Sequence, residues 1–402
     1  MREKGFSASW YVIGLFLVFS LMMGGFADLQ PSEAAVEAQA QEQDQDQEQD
    51  PVPLIQEGVK KAKAGEYEQA LELLEQALEL RPEQAGIHFN IGVVLENLGR
   101  VEESIPHYEN VIRLKPDFPG GYNNLGNALW KTGNMEKAEE MFREALSVDP
   151  EYNLAKINLG NVLLAREKPE EALGIFREVK EKNPDSAQVH YLEGRSLALM
   201  GSYEQAVNAY EKALALDPEM HEALFHLGLA WGLLGNREKE IESFREYVSE
   251  NPDNPSGHLQ LGTALIRNRN YPEAVTSLKR AVELDPQSFA AWNNLAQVHV
   301  SMSNYEEGLE AAQTAVGINP ASPQAYNSLG FALVGLDRFA EAIDAFEESV
   351  KLAPDFADAR YGLGVAALLS GDRQTAEKQK EILEGLNPRM ANQLDGLIQQ
   401  GE

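Results

Sequence analysis

The stretch PGGYNNLGNALWKTGNMEKAEEMFREALSVDPEY, residues 119–152, decides the fold. A minimal side chain stands at its eighth position (Gly126), another at its twentieth (Ala138), and a large ring at its twenty-fourth (Phe142). Apolar residues flank these positions at the i, i+3, i+4 spacing of an amphipathic helix. A proline at the thirty-second position, Pro150, stops the second apolar stretch. The segment therefore predicts two helices that pack through a small-to-large contact.

The same pattern returns along most of the chain, because a proline recurs every 34 residues through ten occurrences without insertion or deletion. With this proline as position 32, ten repeats fill residues 51–390. Position 8 is glycine in nine repeats and Ala296 in the eighth, which predicts close approach of two helices. Such a period indicates a stack of helical hairpins. The prolines are Pro82, Pro116, Pro150, Pro184, Pro218, Pro252, Pro286, Pro320, Pro354 and Pro388.

Four residues depart from the repeat pattern. Glu240 and Gly308 occupy position 20, which is usually alanine, and Tyr247 occupies a position that is usually small or in the core. Lys380 stands at the bulky position 24 of the tenth repeat, which is therefore the weakest. We expect residues 391–402 to form a capping helix with a polar outer face.

This pattern, over 340 of the 402 residues, resembles the tetratricopeptide repeat (TPR) family. The resemblance implies an all-α fold, a TPR α-solenoid in which antiparallel helix hairpins stack into a right-handed superhelix. It also implies that the first helices of the repeats line a concave groove. The motif NNLGNAL at residues 123–129 is similar to the TPR arm of O-linked glycosyltransferases, although no transferase domain accompanies it here.

The N-terminal residues have the pattern of an export signal. Arg2 and Lys4 precede an apolar stretch at residues 10–23, and residues 25–27 form a small-x-small cleavage site. Residues 1–27 are predicted to be a signal peptide or, alternatively, an uncleaved anchor held in the inner membrane by residues 10–26. Both alternatives place the repeats outside the cytoplasm, in a bacterial periplasm. Residues 28–50 carry eight acids and no base, and we expect a disordered acidic, Gln-rich linker.

Composition argues against several classes of function. A net charge of -30 disfavours nucleic acid as a partner, because such affinity rests on cationic side chains. The chain has no cysteine, and His221 and His226 are five residues apart, whereas zinc-protease helices space their histidines by four. No phosphate-binding loop or nucleophile elbow occurs. We predict no metal, no cofactor and no catalytic residue, and hence a protein that is not an enzyme.

A candidate peptide-binding strip lies in repeats 2 to 4. Asn90, Asn124 and Asn158 occupy position 6 of three successive repeats, and Asn127 and Asn161 occupy position 9, one helical turn away. A side-chain amide both donates and accepts, so a ladder of amides matches the backbone of an extended peptide. The alternative is that these asparagines bond to neighbouring helices or face solvent. Weaker candidates by the same reasoning are Tyr122, Asn293, Asn294 and Tyr326.

Two functions remain open from the sequence. The first is a protein-interaction scaffold that binds peptides or partner proteins in the groove, in cell-envelope assembly. The second is a regulatory or substrate-positioning subunit of a separate enzyme, such as a glycosyltransferase or a polysaccharide export machine. The membrane is expected to be contacted only through the N-terminal segment.

Overall fold

The computed structural model describes residues 50–400, so the predicted signal and almost all of the predicted linker lie outside the described residues. This part of the chain contains 21 α-helices and no strand, which confirms the all-α prediction. It divides into two units, and the boundary in the chain falls between Pro218 and Glu219. Within residues 50–400, no helix is long and apolar enough to span a lipid bilayer.

Each repeat contributes two helices, so that the first helix of a repeat is odd-numbered and the second is even-numbered. The N-terminal unit holds repeats 1 to 5. Its helices are α1 (Val52–Lys63), α2 (Tyr67–Leu80), α3 (Ala85–Asn97), α4 (Val101–Leu114), α5 (Pro119–Lys131), α6 (Met135–Val148), α7 (Asn153–Ala165), α8 (Pro169–Lys182), α9 (Ala187–Leu199) and α10 (Tyr203–Leu216).

The C-terminal unit holds repeats 6 to 10 and one further helix. Its helices are α11 (His221–Leu233), α12 (Arg237–Glu250), α13 (Pro255–Arg267), α14 (Tyr271–Leu284), α15 (Phe289–Ser301), α16 (Tyr305–Ile318), α17 (Pro323–Gly335), α18 (Phe339–Leu352), α19 (Ala357–Ser370), α20 (Arg373–Leu386) and α21 (Pro388–Gln400).

The turn between the two helices of a repeat always contains one residue in the left-handed region, at position 15. Six of these residues are glycines, with φ between 74° and 90°. The other four turns have a residue with a side chain at this position. In the left-handed region such a residue costs free energy, whereas glycine does not. These four residues are Glu167, Arg269, Ser303 and Asp337.

The turn from one repeat to the next is closed by side chains on both sides of the period proline. Before it, Asp149 accepts a hydrogen bond from the backbone N–H two residues later, at 2.9 Å. After it, position 4 donates to the carbonyl of the proline, as His190 Nε2 does to Pro184 O at 2.9 Å. The position 4 histidine thus satisfies an exposed turn carbonyl. The same bond is made by His88, His258, Trp292 and Arg360.

The core of most hairpins is the predicted contact between positions 8 and 24. A Cβ added at Gly126 would lie 2.7 Å from the ring of Phe142, and one added at Gly160 would lie 2.3 Å from the ring of Phe176. Both rings are fully buried. Only glycine leaves room for the ring, so this pair sets the distance between the helices.

The departures in repeat 6 have compensating residues. Glu240 is buried, and a Cβ at Gly232 would lie 2.6 Å from its carboxylate, so glycine makes room for it. Arg267 of α13 forms an ion pair with the same carboxylate. Tyr247 is accommodated by Gly257, whose added Cβ would lie 2.7 Å from the tyrosine ring.

The final helix, α21, completes repeat 10. A Cβ at Gly364 would lie 2.4 Å from Leu394 of α21, so this leucine fills the place that a position 24 ring takes in other repeats. Lys380, which stands at position 24 here, instead forms an ion pair with Asp395 at 3.1 Å. The helix begins at Pro388, three residues before the predicted boundary.

Candidate peptide-binding site on the first helices of repeats 2 to 4

The five candidate asparagines lie on three first helices of the N-terminal unit. Asn90 is on α3, Asn124 and Asn127 are on α5, and Asn158 and Asn161 are on α7. Asn90, Asn124 and Asn161 are partly exposed, whereas Asn127 is 9% exposed and Asn158 only 1%. The candidates therefore differ in their access to a ligand.

Asn158 has a structural role, and the expectation of an exposed amide is wrong for this residue. Its Nδ2 donates to Asn123 Oδ1 of α5 at 2.9 Å, in a buried bond between two repeats. The reason is the register of neighbouring first helices, which places position 6 of one repeat against position 5 of the preceding repeat. The C-terminal unit repeats this contact, because Ser328 Oγ donates to Asn293 Oδ1 at 2.9 Å.

Asn123 and Asn158 belong to a longer polar chain across repeats 2 to 4. Asn123 Nδ2 donates to Asn124 Oδ1 at 3.2 Å, and Asn124 lies near enough to the Tyr108 hydroxyl to act on its pKa. The Tyr108 hydroxyl donates to Glu96 Oε1 at 2.7 Å. Burial, together with the Glu96 carboxylate, raises the pKa of Tyr108 and keeps the hydroxyl protonated. Because the side chains of Asn158, Asn123 and Asn124 hydrogen-bond in series, this part of the asparagine ladder is held in place.

Two of the five candidate asparagines retain unused hydrogen-bonding capacity. The Oδ1 atoms of Asn127 and Asn161 are buried and have no hydrogen-bond partner among the described residues. A buried acceptor without a donor costs about 1–3 kcal/mol. Rotation of the terminal amide is soft, so either side chain can turn toward a donor that arrives from outside. These two amides are therefore the members of the ladder best suited to a ligand.

An unpartnered asparagine oxygen in the C-terminal unit has a different cause. Asn327 occupies position 5 of repeat 9, and its buried Oδ1 also lacks a partner. The position 6 residue that would donate to it is Gly362, where an added Cβ would lie 2.3 Å from the Phe346 ring. Packing has thus removed the donor.

The surface around the candidates carries little charge. Helices α3, α5 and α7 contain only three residues charged at neutral pH, namely Glu96, Lys131 and Lys156. Lys131 pairs with Glu96 at 2.7 Å, and Lys156 pairs with Glu178 at 3.4 Å. The second helices of this unit, in contrast, contain 17 acidic and 7 basic residues. A ligand on the first helices would meet amides rather than free charges.

The weaker candidates also lie on first helices. Asn293 accepts the bond from Ser328 described above, and Asn294 Nδ2 donates to Thr263 Oγ1 at 3.0 Å. Tyr122 and Tyr326 are partly exposed at position 4 of their repeats. The two asparagines link neighbouring repeats, so they resemble Asn158 rather than Asn127.

The sequence analysis singled out neither of two buried carboxylates, Glu139 and Glu193. Glu139 pairs with Arg143 at 2.8 Å and with Lys168 at 3.2 Å. Burial raises the pKa of Glu139, but the hydrogen bonds from Arg143 and Lys168 outweigh this effect and lower it. Glu193 pairs with Lys180 at 2.6 Å. Glu193 could have been found, because it stands at position 7, where most other repeats have leucine.

No candidate metal centre accompanies the site. Among residues 50–400, no group of three or more His, Asp or Glu side chains is arranged to hold a metal ion.

The helical-hairpin stack with its glycine–ring contacts defines an α-solenoid protein of the repeat type. A family model described as "Tetratricopeptide repeat" matches residues 123–187, 191–255, 259–325 and 327–382. A second model, described as "TPR repeat", matches residues 61–99 and 97–133. The chain belongs to the tetratricopeptide repeat family. A search of curated protein sequences gives no match.

Solved structures of several TPR proteins are similar to this chain. MamA (residues 41 to the end) from Desulfovibrio magneticus RS-1 is 25% identical, over 42% of this chain and 95% of that one, with a TM-score of 0.40. YrrB, described as a TPR protein with an unusual peptide-binding site, is 24% identical over 49% and 97%, with a TM-score of 0.41. A TPR protein from Parabacteroides merdae ATCC 43184 is 15% identical over 62% and 99%. Its TM-score of 0.53 agrees with the all-α repeat fold.

Proposed function

We propose that this TPR protein is a non-catalytic scaffold that binds an extended peptide segment of a partner protein along α3, α5 and α7. The supporting observation is that Asn127 and Asn161, on adjacent first helices, each have a carboxamide oxygen without a donor. An extended peptide presents backbone N–H groups that can supply these donors, and its carbonyls can accept from the amide nitrogens.

The electrostatics of the three helices favour recognition of the peptide backbone over recognition of charge. Lys131 and Lys156 are both engaged in ion pairs. Capture of a terminal carboxylate needs free cations, and these lysines are not free. Selectivity between peptides then comes from the side chains that fit between the amides.

To test the proposal, a phage-displayed library of random peptides is panned against the full chain, and the enriched peptides are used as ligands. Asn127→Ala with Asn161→Ala should weaken binding of the selected peptides roughly tenfold or more, because two hydrogen bonds are lost. The melting temperature should stay the same or rise slightly, since two unsatisfied oxygens are removed. Asn208→Ala, an exposed asparagine on α10, is the matched control and should bind like the unmodified chain.

Two outcomes would contradict the proposal. One is that no peptide is enriched over an unrelated protein. The other is that the selected peptides bind the double variant as tightly as they bind the control variant.

We further propose that the scaffold works outside the cytoplasm, in cell-envelope assembly, and is exported by residues 1–27. The support is the basic start, the apolar stretch and the small-x-small site in the sequence. A reporter enzyme that is active only outside the cytoplasm, fused after Glu402, should be active. Activity of a cytoplasm-dependent reporter instead would refute export, and the mass of the mature chain distinguishes cleavage after Ala27 from anchoring.

A further inference from the structure

A pair of histidines joins the two helices of repeat 2. His88 of α3 and His107 of α4 place their Nδ1 atoms 3.1 Å apart, and their ring centroids are 5.3 Å apart. The other ring nitrogen of His88, Nε2, lies 3.0 Å from the carbonyl oxygen of Pro82. His88 is 7% exposed and His107 is partly exposed.

These distances fix where the protons are. The Pro82 carbonyl can only accept, so Nε2 of His88 carries a proton and donates it. In a neutral ring the other nitrogen, Nδ1, is then an acceptor. The short contact between the rings therefore requires His107 to carry its proton on Nδ1 and to donate it to His88.

The same arrangement limits how many protons the pair accepts. A first added proton can bind Nε2 of His107, where it leaves the bond between the rings intact. A second must bind Nδ1 of His88, which would place two N–H groups and two positive charges face to face across 3.1 Å. The rings cannot stay in contact in that state.

We propose that His88 and His107 form a proton-sensing pair that holds α3 against α4 with up to one added proton and separates when it takes up a second. His190 provides an internal comparison, because it makes the same bond to its proline carbonyl, Pro184 O, at 2.9 Å. In the described residues the position 4 histidines His190 and His258 have no histidine bonded to Nδ1, so the histidine pair distinguishes repeat 2 from repeats 5 and 7.

The charged groups near the pair come from three segments. On α4, Glu103 acts on His107 and forms an ion pair with Arg100 of the α3–α4 turn at 2.6 Å. The negative charge of Glu75, on α2, contributes to raising the pKa of Arg100. Burial lowers the pKa of His107, the nearby His88 lowers it further, and Glu103 raises it by less.

The direction of the pH effect follows from this lowered pKa. In the unfolded chain His107 titrates near its ordinary value of about 6.5. Below that pH the unfolded chain binds more protons than the folded chain, so stability falls as the pH is lowered. Removing the titrating group should make stability less dependent on pH.

The test uses the full chain in two measurements. Long-range proton–nitrogen NMR spectra of the histidine rings at about pH 7.5 should show the proton of His88 on Nε2 and that of His107 on Nδ1. On titration the two rings should take up protons in two separate steps, because the second proton breaks the bond between the rings. This first measurement needs no variant.

The second measurement is the urea midpoint between about pH 7.5 and about pH 5. His107→Gln keeps an N–H that can donate to His88 but cannot titrate, so its midpoint should fall less than that of the unmodified chain. His190→Gln is the matched control, and its urea midpoint should fall between the two pH values by as much as that of the unmodified chain. Equal pH dependence in all three proteins, or independent titration of both rings near the ordinary pKa, would overturn the proposal.

Discussion

Gly160 sets the distance between two helices by having no side chain. A Cβ at this position would lie 2.3 Å from the Phe176 ring, closer than Cβ atoms approach carbon. Gly160→Ala should therefore destabilise the protein by about 1–3 kcal/mol through overpacking, although alanine favours the helix by about 1 kcal/mol. Gly174→Ala, on the next helix with no atom within 4 Å of the added Cβ, should instead stabilise it. Urea unfolding of the two variants measures the difference, and equal effects would show that the ring contact is not made.

His299 stands at position 11, where six other repeats have a buried leucine. Its Nδ1 is buried without a partner, and burial, followed by the charge of Lys279, lowers its pKa. His299→Leu should therefore stabilise the protein by about 1 kcal/mol. Because the unfolded chain protonates this histidine below about pH 6.5 and the folded chain resists it, the gain should grow as the pH falls.

Thermal melting at several pH values measures this effect. The matched control is His258→Leu, which removes a partly exposed histidine that donates to Pro252 O and should give no gain. A constant difference between His299→Leu and the unmodified chain at all pH values would contradict the interpretation that a buried neutral histidine is responsible.

At the residue scale, contacts within a repeat could be predicted and contacts between repeats could not. The glycine at position 8 and the ring at position 24 recur together, so their contact was visible in the sequence. The bond between Asn158 and Asn123 depends on the register of two first helices, which the pattern of one repeat does not reveal. The position 4 donors did leave a signal, since a donor-bearing side chain stands six residues after eight of the ten period prolines, and five of these side chains make the bond.

At the scale of the elements, α21 takes over the role of a missing core residue. Leu394 is fully buried against Gly364 of repeat 10. The residue that would normally pack on this glycine is Lys380, which cannot serve as a core residue. Leu394→Ala should lower stability by about 2–5 kcal/mol, because it empties the last hairpin core. Leu397→Ala, on the same helix but 37% exposed, is the control and should cost much less. Similar urea midpoints for the two variants would mean that α21 does not close the stack.

At this scale, the sequence did not reveal how neighbouring helices accommodate the buried Glu240. Glu240 was visible as a departure from the repeat, but its accommodation depends on Gly232 in the first helix and on Arg267 in the next repeat. Gly232 is the only glycine at position 12 of the ten repeats, but the pattern of one repeat does not reveal which carboxylate it accommodates. Only the three-dimensional arrangement shows that they act on one carboxylate.

At the scale of the whole molecule, the 34-residue period determined the family and the number of helices. The period could not identify the ligand. It arises from the residues that pack in the repeat core, whereas a ligand would contact the surface of the first helices. In the N-terminal unit this surface is nearly neutral at α3, α5 and α7, while the second helices hold most of the acidic residues. The proposed function uses that contrast, because it assigns peptide binding to the nearly neutral, amide-bearing first helices.

The most direct test of this account is photo-crosslinking of a selected peptide to the full chain, followed by mass spectrometry of the adducts. The account predicts adducts on α3, α5 and α7, concentrated near Asn127 and Asn161, and their loss when both asparagines are replaced by alanine. Adducts that fall mainly on the second helices α4, α6 and α8, or that persist unchanged in the double variant, would contradict the claim that the first helices of repeats 2 to 4 bind the partner.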